Sequence, residues 1–472
     1  MGVETADLVQ LALALLAMTT LFLLAYALPE RISVAVLVVL IPFQPIDSRF
    51  GTLNVMLAYC VGLALMLKAP RFKLPLLGPI ALIGFAYLLS LSQVHPATYV
   101  QHGIFVMSLG AGLMLFWVVY NHVADSGDPR VLHPALVWMN GLVCLYCLIQ
   151  AVAGPGEKFA LLDWEYLAMP RNRGGDDPRL AGPFAAPGMT AEFFLVMIFL
   201  WAHELTRKPR WPMRVALAGL VAANLVFLLM TGNRGAFLLL VLAFPAFLYL
   251  FRKELGVLRA ARTFVFAALL LAGTSALVLS YSEFSVIYER LAETEIESGV
   301  PDTRTEAWAV AVEGIAERPL LGHGPRLRLI DDHIVRYPAH QFLDYPHNLY
   351  LFLLYTVGIV GLAAFLTFFA GLVWRLLRAA RTAVTADERG LAKLFLLLLA
   401  LILLDQIKIE FLRIANTDFQ QYLFCMFAVF LAAADLAVAR AAASARAPSA
   451  PRPAALGHGA LARTRAPPIG TG

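Results

Sequence analysis

The sequence predicts an all-α, polytopic integral membrane protein with about 12 transmembrane helices and one large extramembrane loop containing short helices, and three observations carry that prediction. Of 472 residues, 60% are hydrophobic and only 15% are charged. Mean hydropathy is +0.73, which excludes an ordinary soluble globular domain. Apolar runs of roughly 20 residues, the length that crosses a hydrocarbon core, recur along the whole chain. The third observation is a polar segment from Ser282 to Pro346, set between two such runs.

Taken in order, the runs cover residues 7–28, 53–68, 74–94, 102–122, 132–153, 187–204, 213–231, 235–251, 263–281, 348–374, 391–407 and 419–438. Residues 32–45, interrupted by Pro42 and Pro45, form either a further span or a re-entrant piece. Met1 to Asp7 lacks a basic n-region, and the run after it is too long for a signal-peptide core, so it reads as a retained span. Cys60, Cys144, Cys147 and Cys425 all fall inside apolar runs. Although Cys144 and Cys147 have C-x-x-C spacing, within a membrane helix they read as small packing residues. The Ala/Pro/Arg-rich end, 441–472, reads as a disordered tail. The chain thus divides into a helix bundle (1–281), a loop (282–346), C-terminal helices (347–440) and that tail.

Orientation follows from Lys and Arg, because basic short loops stay in the cytoplasm. The connections Lys68–Lys73, Arg207–Arg214, Arg252–Arg262 and Arg375–Arg389 are basic, as is the end from Arg440, with five Arg and no acid. Most of the alternate connections lack a comparable excess. Residues 282–346 hold 12 Asp and Glu against 6 Arg, so this loop is expected outside the cytoplasm. The formal charge of +5 is then concentrated on the opposite, cytoplasmic face; membrane lipids are expected as partners, and no nucleic acid.

Four positions can carry chemistry. The run ending at Met230 emerges at Thr231-Gly232-Asn233-Arg234-Gly235 and turns straight back, which puts Arg234 at the outer face; the same position suits an arginine snorkelling to lipid phosphate. In the loop, Thr303 and Glu306 have capping-box spacing, with Arg304 in the first turn of a helix that runs through Glu317. An anion is favoured there by free N–H groups, the helix dipole and a guanidinium fork; pairing with Glu306 is the alternative. His347, after Pro346 and before an apolar helix, is expected to be partly desolvated and neutral near pH 7, able to accept or orient a hydroxyl proton. As an alternative it merely caps the helix. Asp405, an acid in an apolar run, reads chiefly as an ion pair with Lys408. No metal site is expected: Pro338 and Pro346 interrupt the His333, His340, His347 series, and the acidic pairs Asp176/Asp177 and Asp331/Asp332 read as solvated.

Several segments together resemble the O-antigen ligase and O-antigen polymerase superfamily of bacterial membrane glycosyltransferases. Arg179 to Phe184 with Pro187 is similar to the R-x-x-G-x-F-x-x-P stretch of that family, with Gly188 where Asn is usual. Asn233-Arg234-Gly235-Ala236 resembles S-R-G-A, with Asn replacing Ser. Arg304 to Trp308, followed by Pro319-Leu320-Leu321-Gly322-His323-Gly324, is similar to the R-x-x-x-W and P-L-L-G-x-G pair. His347-Asn348-Leu349-Tyr350 through Gly358-Ile359-Val360-Gly361-Leu362 resembles H-N-x-x-L with G-I-x-G-L.

The resemblance implies a C-type glycosyltransferase fold in the bacterial inner membrane, its active face periplasmic. It implies a glycan donor on undecaprenyl diphosphate, no cofactor and no metal. Arg234 and Arg304 would engage the diphosphate, His347 would assist the acceptor, and Arg179 and Asn348 would bind substrate. Lipid A-core as acceptor gives a ligase, the reading preferred; another lipid-linked repeat gives a polymerase, and a protein side chain gives an O-oligosaccharyltransferase. The competing class, a transporter or flippase, predicts broken helices with charges at the bilayer midplane and internal symmetry. Here the charged candidates gather at one face.

Overall fold

The structure, a computed structural model, describes residues 5–43, 47–48, 51–69, 71–94, 99–153, 179–255, 273, 303–324, 346–412 and 417–446. Its helices are α1 (Thr5–Ala27), α2 (Glu30–Leu40), α3 (Leu53–Lys68), α4 (Leu77–Leu91), α5 (Tyr99–Ser126), α6 (His133–Ala153), α7 (Pro187–Thr206), α8 (Trp211–Met230), α9 (Arg234–Leu250), α10 (Arg252–Leu255), α11 (Thr303–Glu317), α12 (Leu349–Thr382), α13 (Ala386–Asp405) and α14 (Thr417–Arg446). Among the described residues the only strands are β1 (Asp47–Ser48) and β2 (Gly51–Thr52), a two-residue antiparallel pair between α2 and α3.

Among the described residues six helices are long and apolar enough to cross a membrane: His102–Ser126, His133–Val152, Pro187–Thr206, Trp211–Met230, Leu349–Thr382 and Thr417–Arg446. Four shorter apolar helices accompany them, Leu15–Ala27, Leu53–Lys68, Leu77–Gln93 and Arg234–Leu250. This is the pattern of a multi-pass membrane protein. The run expected at 263–281 lies outside the described residues apart from Gly273. The interrupted run at 32–45 yields α2, whose 11 residues rise only about 16 Å. Such a helix ends within apolar surroundings, so its last carbonyls need donors. Buried Asn54 supplies them, its Nδ2 lying 2.8, 3.0 and 2.7 Å from the carbonyls of Leu40, Ile41 and Phe43. At the other end of the chain, α14 continues to Arg446, past the expected start of the tail at 441. The stretch Ala441-Ala442-Ala443 has the strongest helix preference of any residue type, which explains the extension.

α14 is buried at every residue from Thr417 to Ala434. Enclosed on all sides over that stretch, it belongs in the middle of a bundle, and it packs against α5 and α12. Phe368 of α12 meets Phe424 and Phe427 edge-on, at 6.2 and 6.3 Å between ring centres. Polar side chains join α6, α7 and α8 where apolar contact cannot discriminate helix from lipid. Asn140 Nδ2 donates to Asn224 Oδ1 at 2.7 Å, Asn224 Nδ2 donates back at 3.0 Å, and Trp201 Nε1 donates to Asn140 Oδ1 at 2.7 Å.

Ion pairs close one end of the bundle. The Arg130 guanidinium forks onto Asp387 at 2.9 and 3.0 Å and reaches Glu204 at 2.9 Å. Arg207 adds contacts to both acids, and Arg440 donates to Glu388 at 2.6 Å. The connections before α6, α8 and α13 and the end of α14 thus share one surface. Lys68, which donates to Ala25 and Leu28, and Glu30, 2.7 Å from His122, fasten α1, α2, α3 and α5 in the same way. Three of the four connections named as basic therefore contribute to this end, while the fourth, 252–262, is described only through Leu255.

Asn224→Leu removes the acceptor of Asn140 and is expected to destabilise the fold by about 1–2 kcal/mol, read as a lowered melting temperature in detergent. Glu388 supplies a pH test. Burial pushes its carboxyl up, but hydrogen bonds from Arg440 and from the Thr385 amide and hydroxyl outweigh burial and hold it below its ordinary value of 4.5. A depressed carboxyl stabilises the fold above its unfolded pKa and loses that contribution as pH falls through the folded one. Glu388→Gln is thus expected to lower the melting temperature at pH 7 and to converge with the parent as the pH is taken below 4.5.

Candidate functional site

Away from the ion-paired end, four segments meet around residues 405–412, where α13 gives out. The first is the turn between α8 and α9. Asn233 caps α9, its Oδ1 accepting from the Ala236 amide at 2.9 Å, and this makes Arg234 the first helical residue. The same oxygen accepts from Lys408 Nζ at 2.7 Å. The second is the segment that carries Arg179. Its neighbour Leu180 donates its amide to the Met230 carbonyl at 3.1 Å, and the Gly182 amide donates to Gln150 Oε1 at 2.8 Å. Arg179 and Arg234 therefore stand on adjoining backbone.

The third segment is His347-Asn348 at the head of α12. Four free amides would otherwise open this helix. Leu349 donates to the Gln406 carbonyl at 2.8 Å, Tyr350 and Leu351 to Asn348 Oδ1 at 3.0 and 3.1 Å, and Phe352 to the Asn348 carbonyl at 2.9 Å. Asn348, a candidate substrate binder, thus commits its oxygen to capping. The amides of Leu349, Tyr350 and Leu351 are thus engaged, and that of Phe352 makes the first regular helical bond. His347 is half-buried and has φ +50°, a left-handed backbone that costs a non-glycine residue about 1–3 kcal/mol. Tethers hold it there, from Gln406 on one side and from Trp308, whose Nε1 donates to the Pro346 carbonyl at 2.6 Å, on the other.

Trp308 belongs to the fourth segment, α11 and the loop after it. Arg304 lies in the first turn of α11, one turn before Trp308; its side chain, and with it the Thr303/Glu306 capping box, falls outside the described residues. His333, His340, Asp176/Asp177 and Asp331/Asp332 also fall outside them. Ala307 and Ala311 pack on Tyr355 of α12. His323 stacks on the same ring at 4.7 Å between centres, with Nε2 2.8 Å from the Gly314 carbonyl.

The loop Pro319–Gly324 enters a break in α12. At Gly358 the backbone leaves the helix, with φ 64° and ψ −166°, and four peptide groups lose their helical partners or change them. The loop replaces these. His323 and Gly324 donate to the carbonyls of Tyr355 and Thr356, both at 2.8 Å, while Ile359 and Val360 donate to those of Pro319 and Leu320 at 2.9 and 3.4 Å. A Cβ on Gly358 would sit 2.2 Å from the Leu320 carbonyl oxygen, and one on Gly322 2.5 Å from the Thr356 carbonyl carbon. The two motif glycines are where two backbones touch. Between α11 and the head of α12 an open groove of about 700 Å³ remains, lined by Trp308, Ala309, Val312, Glu313, Asn348 and Leu351.

Behind the site lies a buried polar set that sequence reasoning recognised only in part. Lys408 Nζ is 2.7 Å from Asp405 Oδ1, as the ion-pair reading of Asp405 expected. Glu192 of α7 is 1% exposed; Gln406 Nε2 donates to its two carboxyl oxygens at 3.3 and 3.0 Å, and it also contacts Asp405. The signal for Glu192 was present, since an acid one turn inside an apolar run falls under the same rule that singled out Asp405. Lys408 as the partner of Asn233 had no such signal, because 175 residues separate them. Among the described residues no group of three or more His, Cys, Asp or Glu could hold a metal ion.

Residues 219–366 match the family described as O-antigen ligase, a stretch that includes Arg234, Arg304, His347 and Asn348 and leaves Arg179 outside. The match supports the O-antigen ligase and polymerase superfamily for this chain. Comparison with curated proteins gives no match.

Gly358→Ala is expected to dislodge the loop: the strained backbone and the clash with Leu320 together cost about 2–4 kcal/mol. Protease cleavage within Pro319–Gly324 should become faster in the variant, with the spanning helices still intact by circular dichroism.

Proposed function

We propose that this protein transfers a glycan from an undecaprenyl-diphosphate donor to an acceptor hydroxyl at the periplasmic face of the inner membrane, lipid A-core being the preferred acceptor. The family match over residues 219–366 supports glycosyl transfer of the O-antigen ligase and polymerase type. The observation that carries the reading to particular residues is the meeting of three tethers, Lys408 to Asn233, Gln406 to Leu349 and Trp308 to Pro346. Through them the backbone of Arg234, His347 and the helix of Arg304 is drawn to one end of the bundle. A transporter reading needs its charges at the midplane of symmetry-related helices instead.

In this reading the acceptor oxygen attacks the anomeric carbon, and its proton passes to His347. As the new C–O bond forms, the bond from the anomeric carbon to the diphosphate oxygen breaks. Undecaprenyl diphosphate leaves with that electron pair. Negative charge therefore grows on the leaving group, at an interface where a guanidinium is worth far more than in water. Arg234 and Arg304 are the stabilisers, their planar forks matching phosphate oxygens in pairs. Arg179, next to the Arg234 turn, assists binding. No metal is assigned a role.

Transfer by purified protein from a lipid-linked donor tests the assignment. Arg234→Ala and Arg304→Ala are each expected to lower kcat by roughly 10²–10³-fold, and His347→Ala by roughly 10²–10⁴-fold, at matched protein levels. The rate should be unchanged by chelator; a chelator-sensitive reaction would bring in Asp176/Asp177 or Asp331/Asp332. In cells, loss of capped lipopolysaccharide with retained lipid-linked polymer marks a ligase, whereas accumulation of single repeats marks a polymerase.

A further inference from the structure

Both residues that flank Arg234 are held by one side chain. Lys408 donates to Asn233 Oδ1 at 2.7 Å, and it lies so closely across Gly235 that a Cβ there would be 2.4 Å from its Cδ and 2.5 Å from its Cε and Nζ. The location is electrostatically costly. An ammonium beside the first turn of α9 faces the positive end of the helix dipole, next to another cation, Arg234. What holds it is Asp405, fully buried, with Oδ1 2.7 Å from Nζ. Asp405 itself is positioned against Glu192, and Gln406 secures Glu192 from the next residue.

We propose that Lys408 is a positioning residue for the transfer reaction. Anchored on Asp405, it fixes the Asn233–Gly235 turn and so sets the direction in which Arg234 leaves the helix. The inference rests on the proposed role of Arg234 and deepens it. A guanidinium that must meet a charge appearing only during bond breaking has to be placed before the reaction begins, and a misplacement of about 1 Å can cost on the order of 10²-fold in rate. Asn233 alone cannot supply that rigidity, since it caps α9 with an oxygen that its own side-chain torsions leave free to swing. The bond from Lys408 removes that freedom. Gly235 is required for a steric reason, to let the lysine pass.

The test is steady-state transfer from the lipid-linked diphosphate donor by the full chain in nanodiscs. Lys408→Met is expected to lower kcat by tenfold or more with donor KM changed less than threefold. Because Lys408→Met leaves Asp405 buried without its cation, the double variant Lys408→Met/Asp405→Asn is the control for folding: it should recover the parental melting temperature while kcat stays low. Asp405→Asn alone, which weakens the anchor but leaves the lysine in place, should lower kcat less than Lys408→Met does, and Asn233→Ser, which keeps a capping oxygen, should retain more activity than Asn233→Leu. Lys408→Met/Asn233→Leu should be no slower than the slower single variant, because both remove one contact.

Three results would overturn the proposal. One is kcat returning together with the melting temperature in Lys408→Met/Asp405→Asn, which would make the lysine a structural ion pair only. Another is additive losses in Lys408→Met/Asn233→Leu, which would put Lys408 on the donor itself. The third is full activity of Lys408→Met while Arg234→Ala is inactive, which sinks this inference and leaves the proposed function standing. If Arg234→Ala is itself fully active, the proposed function of Arg234 falls, and the inference with it.

Discussion

Backbone polar groups in an apolar setting need partners, and the break in α12 at Gly358 concentrates that requirement in one place. An uninterrupted helix would satisfy its own peptides and would leave the loop Pro319–Gly324 with nothing to bind. A break left open would strand carbonyls and amides at several kcal/mol each. The structure couples the two: Tyr355, Thr356, Ile359 and Val360 all find partners in the loop. This is sheet-like pairing between a loop and an interrupted helix, and its strength does not depend on the loop's side chains. It fixes α11 onto α12, because α11 ends at Glu317 and the docked segment starts at Pro319. Trp308 can then reach the Pro346 carbonyl, and the backbone of His347 is pinned in its left-handed conformation.

Electrostatics divides the work between the two ends of the bundle. One end is closed by paired charges, Arg130 with Glu204 and Asp387 being the best satisfied, and this arrangement can bring the connections together without asking anything of a substrate. At the other end Lys408, paired with Asp405, lies beside the Asn233–Gly235 turn that carries Arg234, and in the proposed reading it is Arg234 that meets the diphosphate. At the head of α12 the amides of Leu349, Tyr350 and Leu351 are already engaged by Gln406 and Asn348, so in the proposed reading recognition falls to cationic side chains.

How far the sequence revealed this depends on the range of each signal. Helices such as α7, α8 and α14 were legible as apolar runs, since a run of twenty residues is its own evidence. Met230 to Gly235 was legible as a tight turn because two runs left no room for more. The half-length α2 was ambiguous, and rightly so: its end is made possible by Asn54, whose capping role cannot be read from the run itself. Motif glycines were visible as letters, but that Gly322 and Gly358 exist to meet each other's segments is a fact of tertiary structure. The buried partners of the site were the least legible. Asp405 and Lys408 are three residues apart and could be paired by helical spacing, whereas Glu192 reaches Asp405 and Lys408 reaches Asn233 only once α7, α9 and α13 have packed.

The motifs also separate into those that make contacts and those that hold shape. Pro319 to Gly324 and Gly358 are consumed by backbone pairing, Asn348 by its cap, and Trp308 by the Pro346 carbonyl. The resemblance also covers Arg179, Arg234, Arg304 and His347, the residues to which the proposed chemistry is assigned. In the proposed reading these supply what displacement at an anomeric carbon with a diphosphate leaving group requires, cationic forks for the leaving group and one imidazole for the entering hydroxyl. None of these four selects an acceptor by shape. The groove lined by Trp308, Val312, Glu313, Asn348 and Leu351 reaches the residue next to His347, so in the proposed reading the residues that distinguish one acceptor from another are to be sought along its walls.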